Sequence, residues 1–336
     1  MPVGLKRVGR ELRMLVENAD DQTPADPSLL RIIARNGTLS YDVFVSEPIP
    51  LNVTGLLPNG ERHMFSPLSS TLIYGKNDAV LVDPPLTINQ AKAVGDWVEA
   101  SGKKLTHIFV THGHGDHWFT AGVLAERFGA QVVASAGTIE QMHIHASIRE
   151  VFWDKLWPGQ IPPTPVTAVT VPDNRFTLEG HDLVIIEVGH TDTDESSVLY
   201  TPDLGLVVAG DVIYNGVHQY LGESANGGRD AWRKAIDTVK ALRPRWIVAG
   251  HKNKDLDDDA ARVIAETRQY LDDVDDLLPK NSTARDFFNA MLQRYPNRRL
   301  GATTLCPPHE RTPNPGARHI GQTCATAAQR LRCCPS

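Results

Sequence analysis

The run Thr111-His112-Gly113-His114-Gly115-Asp116-His117 gathers three imidazoles and a carboxylate within six residues. Imidazole nitrogen and carboxylate oxygen together suit zinc, and would also suit iron or manganese. Gly113 and Gly115 give the backbone the freedom that so many ligand types at one place demand. In a tight loop His112 and His114 can turn towards one point, while Asp116 and His117 face a second point beside it. A lone His-x-His pair is commonly an unremarkable surface feature. Here, however, the whole cluster ends an apolar strand, Ile108–Val110, where open α/β folds place their ligands. Three distant positions repeat that setting: Val188-Gly189-His190, Val208-Ala209-Gly210-Asp211 and Val248-Ala249-Gly250-His251 each put a ligand type just after an apolar stretch and a glycine. If these strands share one sheet edge, all three converge on the first loop.

The elements needed to bring them there can be read from the residue pattern. Tyr41–Val45, Thr71–Tyr74 and Ala79–Val82 are short β-rich runs, with a turn at Gly75-Lys76-Asn77-Asp78. Helical and strand-like segments then alternate: Ile88–Ala100, the strand Thr106–Val110, a helix over Trp118–Phe128 and a strand Gln131–Ala134. That rhythm predicts a sheet covered by helices. Residues 137–170, aromatic and Pro-rich, break it and read as a cap insertion. Strands follow at Phe176–Leu178, Asp182–Val188, Ser197–Thr201, Gly205–Ala209 and Trp246–Ala249, with helices at Ala231–Leu242, Asp257–Leu278 and Asp286–Gln293. Residues 1–27 read as a short amphipathic helix (Leu5–Glu17) and a linker, 28–300 as the catalytic domain, and 301–336 as a disordered tail.

The spacing His112-x-His114-x-Asp116-His117, followed by His190, Asp211 and His251, resembles the metallo-β-lactamase superfamily over about Ser69 to Lys252. The resemblance implies an α/β protein with the αββα sandwich of that fold. It also implies two Zn2+ ions, one held by His112, His114 and His190, the other by Asp116, His117 and His251, with Asp211 bridging. Two cations a few ångströms apart bring a shared water to a pKa near neutrality and polarise a carbonyl. Asp116 could then orient the nucleophile and pass a proton to the leaving group. Asp83, at a strand end, reads equally well as a partner for a ligand histidine or as a turn residue before Pro84.

Secreted zinc β-lactamases of this superfamily usually carry Cys or Ser where this chain has Asp211; an aspartate there resembles the thioesterase, lactonase and RNA-processing branches. In the lactonases a tyrosine near the position of Tyr214 helps place the lactone carbonyl, so Tyr214 is either an oxyanion donor or an aromatic packed beneath the site. Trp118, Phe119, Trp153 and Trp157 either line an apolar pocket over the metals or fill core, and His218 could line the same wall as Tyr214. His143 and His145 form a second His-x-His, but in a helix their side chains diverge, which favours a structural role. Lys252 and Lys254 read as solvated lysines.

The leading expectation is hydrolysis of a lactone or lactam in detoxification or signal degradation. A thioesterase or esterase of glyoxalase II type, or β-lactamase-like activity, comes next. An iron-dependent sulfur dioxygenase and a catalytically silent binding module stand outside that class. The substrate expected is an apolar or aromatic small molecule, since a net charge of −6 disfavours nucleic acid. No apolar run reads as an export signal or a membrane span, and all four cysteines fall between 306 and 334, so a cytoplasmic protein is expected. The N-terminal helix could serve as a homodimer contact.

Overall fold

The computed structural model describes residues 39–300 together with the backbone strand Ile32–Ile33. The helix expected at Leu5–Glu17, its linker, the tail from 301 and all four cysteines lie outside the described residues.

Nearly continuous burial along central strands such as Leu68–Tyr74, Asp78–Val82 and Leu206–Val208 gives each sheet two covered faces. The first sheet runs β1 (Ile32–Ile33), β2 (Ser40–Ser46), β3 (Leu68–Tyr74), β4 (Asp78–Val82), β5 (Lys104–Phe109) and β6 (Gln131–Val133), in that order. The pairs are antiparallel up to β4, and β4–β5 and β5–β6 are parallel. The second sheet contains β7 (Arg175–Leu178), β8 (His181–Gly189), β9 (Ser196–Thr201), β10 (Leu206–Val208) and β12 (Trp246–Val248), ordered β12-β10-β9-β8-β7. A short parallel ladder joins β11 (Tyr214–Asn215) to β13 (His251–Lys252), with Tyr214 opposite His251.

Odd and even positions go to different layers. Ile73, Val80, Val82 and Phe109 of the first sheet meet Leu183, Ile185, Leu199 and Val208 of the second in an inter-sheet core. Their alternates Leu72, Leu81 and Ile108 face α1 (Ile88–Ala100), α2 (Ala121–Phe128), α3 (Ala136–Ser147) and α4 (Trp153–Leu156), through Val94, Leu124, Met142 and Leu156. On the far side Val198, Val207 and Ile247 face α5 (Gly228–Ala241), α6 (Ala260–Leu277) and α7 (Ala284–Arg294), through Trp232, Leu271 and Phe287. This is the expected αββα sandwich. Phe109 is fully buried between the sheets, so Phe109→Ala is expected to lower unfolding free energy by about 3–5 kcal/mol, read from the urea midpoint; a shift under about 1 kcal/mol would show that the inter-sheet layer does not hold the fold.

The segment expected to be a cap is partly regular. Ala136–Ser147 continues the βα rhythm as α3, capped by Ser135, and Val169 returns to pair in parallel with Val133. Among the described residues no helix is long and apolar enough to cross a membrane.

Candidate metal centre

Each ligand type sits where a strand has just ended. The His112 loop follows β5, His190 follows β8, Asp211 follows β10, and His251 opens β13 after β12. Backbone hydrogen bonds sew these ends together across the two sheets: Ser197 N to Thr111 O (2.8 Å), Gly250 N to Gly210 O (2.7 Å) and Ser69 N to Gly250 O (2.7 Å). The crossing is tight enough that a Cβ on Gly250 would lie 2.3 Å from Asp211 Oδ1 and 2.8 Å from His117 Cε1. Gly250→Ala is therefore expected to weaken cation binding by about tenfold or more, checked by competition with a chromophoric chelator. Wild-type affinity would mean that the loops yield freely.

One oriented network prepares the imidazoles. Asp83, with a left-handed φ of 55°, accepts from Thr111 N (2.9 Å) and Thr111 Oγ1 (2.8 Å), and from His117 Nδ1 (3.1 Å). Thr111 Oγ1, donating to Asp83, in turn accepts from His112 Nδ1 (3.0 Å). His251 Nδ1 donates to Pro67 O (2.9 Å), and His114 Nε2 to Glu223 Oε1 (3.3 Å). Each ring thus holds its proton on the outer nitrogen and turns the other inward, as a metal ligand requires. Of the two readings of Asp83, the geometry fits the partner of a ligand histidine.

The inward atoms form three overlapping groups: His112 with His117 and Asp211; Asp116 with His117 and His251; and His112 with His114 and Asp192. Within them Asp116 Oδ2 lies 3.2 Å from His117 Nε2 and 3.3 Å from His251 Nε2, while Asp211 Oδ1 is 3.4 Å from His117 Nε2 and Oδ2 is 3.3 Å from His251 Nε2. His112 Nε2, His117 Nε2, His190 Nε2, Asp192 Oδ2 and Asp211 Oδ1 are buried without a hydrogen-bond partner. Unsatisfied buried donors and acceptors are costly, and this set shares one chemistry. The residues present therefore fit metal ions.

Their electrostatics agree. Burial disfavours charge on His112, His114, His117 and His251, and His112, beside His117, falls well below its ordinary pKa. At His117 the same burial is overruled by Asp116, Asp211 and Asp83, which raise it well above the usual value. Burial likewise opposes charge on His251, yet Asp211 and Asp116 push it up to about 10. His114 is raised against its burial by Asp192 and Glu223. Crowded carboxylates in a dry site demand positive charge, from protons or from cations.

Several expected residues sit differently. His190 does not join the three groups: its Nδ1 contacts Asp194 Oδ1 at 2.5 Å, and its Nε2 faces Gly228 at the start of α5. Tyr214 is fully buried and its O–H donates to Asp211 Oδ2 (2.6 Å), so the phenol sits beneath the carboxylate rather than over an open cleft. His218 is a correction to the pocket reading. Its Nδ1 contacts Tyr270 Oη (3.0 Å), its ring meets Tyr295, and burial with nearby Arg298 pushes it down to about 3. Trp118, Phe119, Trp153 and Trp157 are at most 5% exposed and fill core between the first sheet and α3–α4, where burying such large aromatic surfaces is strongly favourable. Trp157 does approach the centre indirectly, through Phe65, which is edge-on to Trp157 (5.0 Å) and to His251 (5.8 Å). Lys252 is buried against Asp258 rather than solvated, whereas exposed Lys254 pairs with Glu47.

Sequence reasoning missed Asp192, Glu223 and Phe65, and placed His145 only as structural. His145 lies edge-on to His114 at 5.1 Å and accepts from Trp153 Nε1 (3.2 Å). For Asp192 the signal lay in the polar run Thr191-Asp192-Thr193-Asp194 beside His190, whose burial the residue types do not reveal.

A family model described as the metallo-beta-lactamase superfamily matches residues 65–251. A metallo-beta-lactamase type 2 of Bacteroides fragilis is 24% identical over 194 residues, covering 55% of this chain and 69% of that protein. A UPF0173 metal-dependent hydrolase of Brucella anthropi is 44% identical over 128 residues, 38% of this chain and 48% of that protein. Among solved structures, a metallo-beta-lactamase family protein from Thermus thermophilus superposes with a TM-score of 0.55 at 18% identity, over 79% of this chain and 90% of that one, a likeness of fold. Because the family model takes in more than half of the 336 residues, and its span encloses every ligand type gathered at this sheet edge, the chain belongs to the metallo-beta-lactamase superfamily.

Proposed function

We propose that this metal-dependent hydrolase holds two cations, zinc by preference, and opens a small cyclic ester or amide, a lactone or lactam, in a cytoplasmic detoxifying or signal-degrading role. The observation that carries the reading is the run of overlapping ligand groups, several of their atoms buried and partnerless: Asp211 clusters with His112 and His117, His112 also clusters with His114 and Asp192, and His117 with Asp116 and His251. When bound, the cations supply Lewis acidity towards a carbonyl and make water nucleophilic near neutral pH.

The chain's own residues do the rest. Asp116, 3.2 Å from His117 Nε2 and 3.3 Å from His251 Nε2, would orient the attacking water and hand its proton to the leaving group. Tyr214 acts through Asp211, fixing one carboxylate oxygen while the other stays available. Phe65, edge-on to His251, and Tyr220, edge-on to His114, flank the centre with aromatic surface that suits an apolar ring.

Tyr214→Phe is expected to lower kcat about tenfold, since it removes a charge-assisted hydrogen bond worth roughly 1.5–3 kcal/mol from the carboxylate. An unchanged rate would remove Tyr214 from the mechanism. The reading itself is tested by metal analysis of the purified protein and a panel of lactones, lactams, thioesters and phosphodiesters. Two zinc equivalents and highest kcat/KM on the cyclic substrates are expected; a metal-loaded protein inert towards the lactones and lactams would overturn it.

A further inference from the structure

We infer that Asp192 is itself a metal ligand, contributing Oδ2 to the position formed with His112 Nε2 and His114 Nδ1. The inference rests on the two-cation reading above and departs from the pattern in which His190 alone completes that position.

Three observations carry it. Asp192 is fully buried, and its Oδ2 stands 3.0 Å from His114 Nδ1 and 3.9 Å from His112 Nε2, with no hydrogen-bond donor of its own. A desolvated carboxylate oxygen in that condition calls for a positive charge beside it. The loop also holds the side chain in place. Thr191 Oγ1 donates to Asp192 Oδ1 (2.9 Å), which leaves Oδ2 as the oxygen facing the histidines. Thr191 N donates to Thr193 O (2.8 Å), Ser196 Oγ lies 2.8 Å from Thr191 Oγ1, and Thr193 Oγ1 donates to Glu223 Oε2 (3.1 Å). Glu223 takes the outer nitrogen of His114, so the same short loop that aims Asp192 also helps turn His114 Nδ1 towards it. His190, whose Nδ1 contacts Asp194 Oδ1, lies outside every group of converging donors found among the described residues. Two imidazoles and one carboxylate are an ordinary donor set for zinc.

The test uses the full chain and metal ions alone. Wild type, Asp192→Asn and His190→Gln are stripped with chelator and titrated with Zn2+ against a chromophoric competitor, with circular dichroism to verify the fold. Asp192→Asn is expected to lose affinity for one of two equivalents by about tenfold or more, and His190→Gln to lose less. Wild-type affinity in Asp192→Asn, or a larger loss in His190→Gln, overturns the assignment. To separate a ligand from a mere support, Asp192→Cys is loaded with Co2+. A thiolate-to-cobalt charge-transfer band absent from wild type is expected, because thiolate in the coordination sphere is the only source of it; no such band overturns the assignment. A wild-type chain that takes up no cation would sink the two-cation reading and this inference together. If wild type binds two cations but hydrolyses none of the panel, only the proposed activity fails.

Discussion

Replacing Asp211 with Ala is expected to reduce hydrolysis by about a thousandfold and, on the proposed two-cation reading, to release one of the cations. The carboxylate joins His112 and His117 in one cluster of inward atoms, lies 3.4 Å from His117 Nε2 and 3.3 Å from His251 Nε2, and also receives the Tyr214 hydroxyl at 2.6 Å. Losing metal assistance removes several kcal/mol of transition-state stabilisation, and about 4 kcal/mol corresponds to roughly a thousandfold in rate. The truncation also strands a fully buried phenol without an acceptor, which costs about 1–3 kcal/mol of stability. Metal content by elemental analysis, kcat on the best substrate and the urea midpoint measure the three consequences separately. A variant that keeps two cations and the wild-type rate would show that Asp211 is not the shared ligand.

Stripping the cations with chelator is expected to abolish hydrolysis and to give the protein a pH dependence that the loaded form lacks. A histidine whose folded-state pKa stands above its unfolded value stabilises the fold fully below the unfolded value, and loses that contribution as pH climbs through the folded one. For His251 the window runs from the ordinary 6.5 up to about 10; burial opposes its charge and Asp211 and Asp116 outweigh burial. His117, raised by Asp116, Asp211 and Asp83 against the same burial, pulls in the same direction. The stripped protein should therefore lose melting temperature steadily between about pH 6.5 and 10. The loaded protein should not, because cations replace the protons. Loading at about pH 8 should correspondingly release protons, visible as a calorimetric heat that scales with the buffer's ionisation enthalpy. Identical melting profiles with and without chelator would refute this account.

The three distant ligand-bearing strand ends were legible because each combines two signals: a short apolar run, and a glycine before a metal-binding residue type. Val248-Ala249-Gly250-His251 is the clearest case, since Gly250 proves to have no room for a side chain. β-rich runs bounded by turn residues likewise revealed β3, β4 and β8 to within a few residues. What stayed hidden depends on direction rather than type. Trp153 and Trp157 are equally at home lining a pocket or filling core, and only the tertiary packing that sets them in the cluster with Phe119 and Met142 decides it. His218 and Tyr214 are close in the chain yet point to different layers, towards Tyr270 and towards Asp211. Asp192 and Glu223 are 31 residues apart and meet only through His114 and Thr193, a juxtaposition no local pattern encodes.

The two-residue ladder between β11 and β13 has a consequence for how this scaffold can vary. Tyr214 and His251 are opposite one another in it, and a strand's side chains alternate sides with every residue. A slip of one position would swing the histidine out of the cluster and strand the tyrosine from its aspartate in a single stroke. Length changes in the 216–245 connection should therefore be all-or-nothing: harmless wherever this pairing survives, and ruinous to the centre once it shifts, even with every ligand still present in the chain.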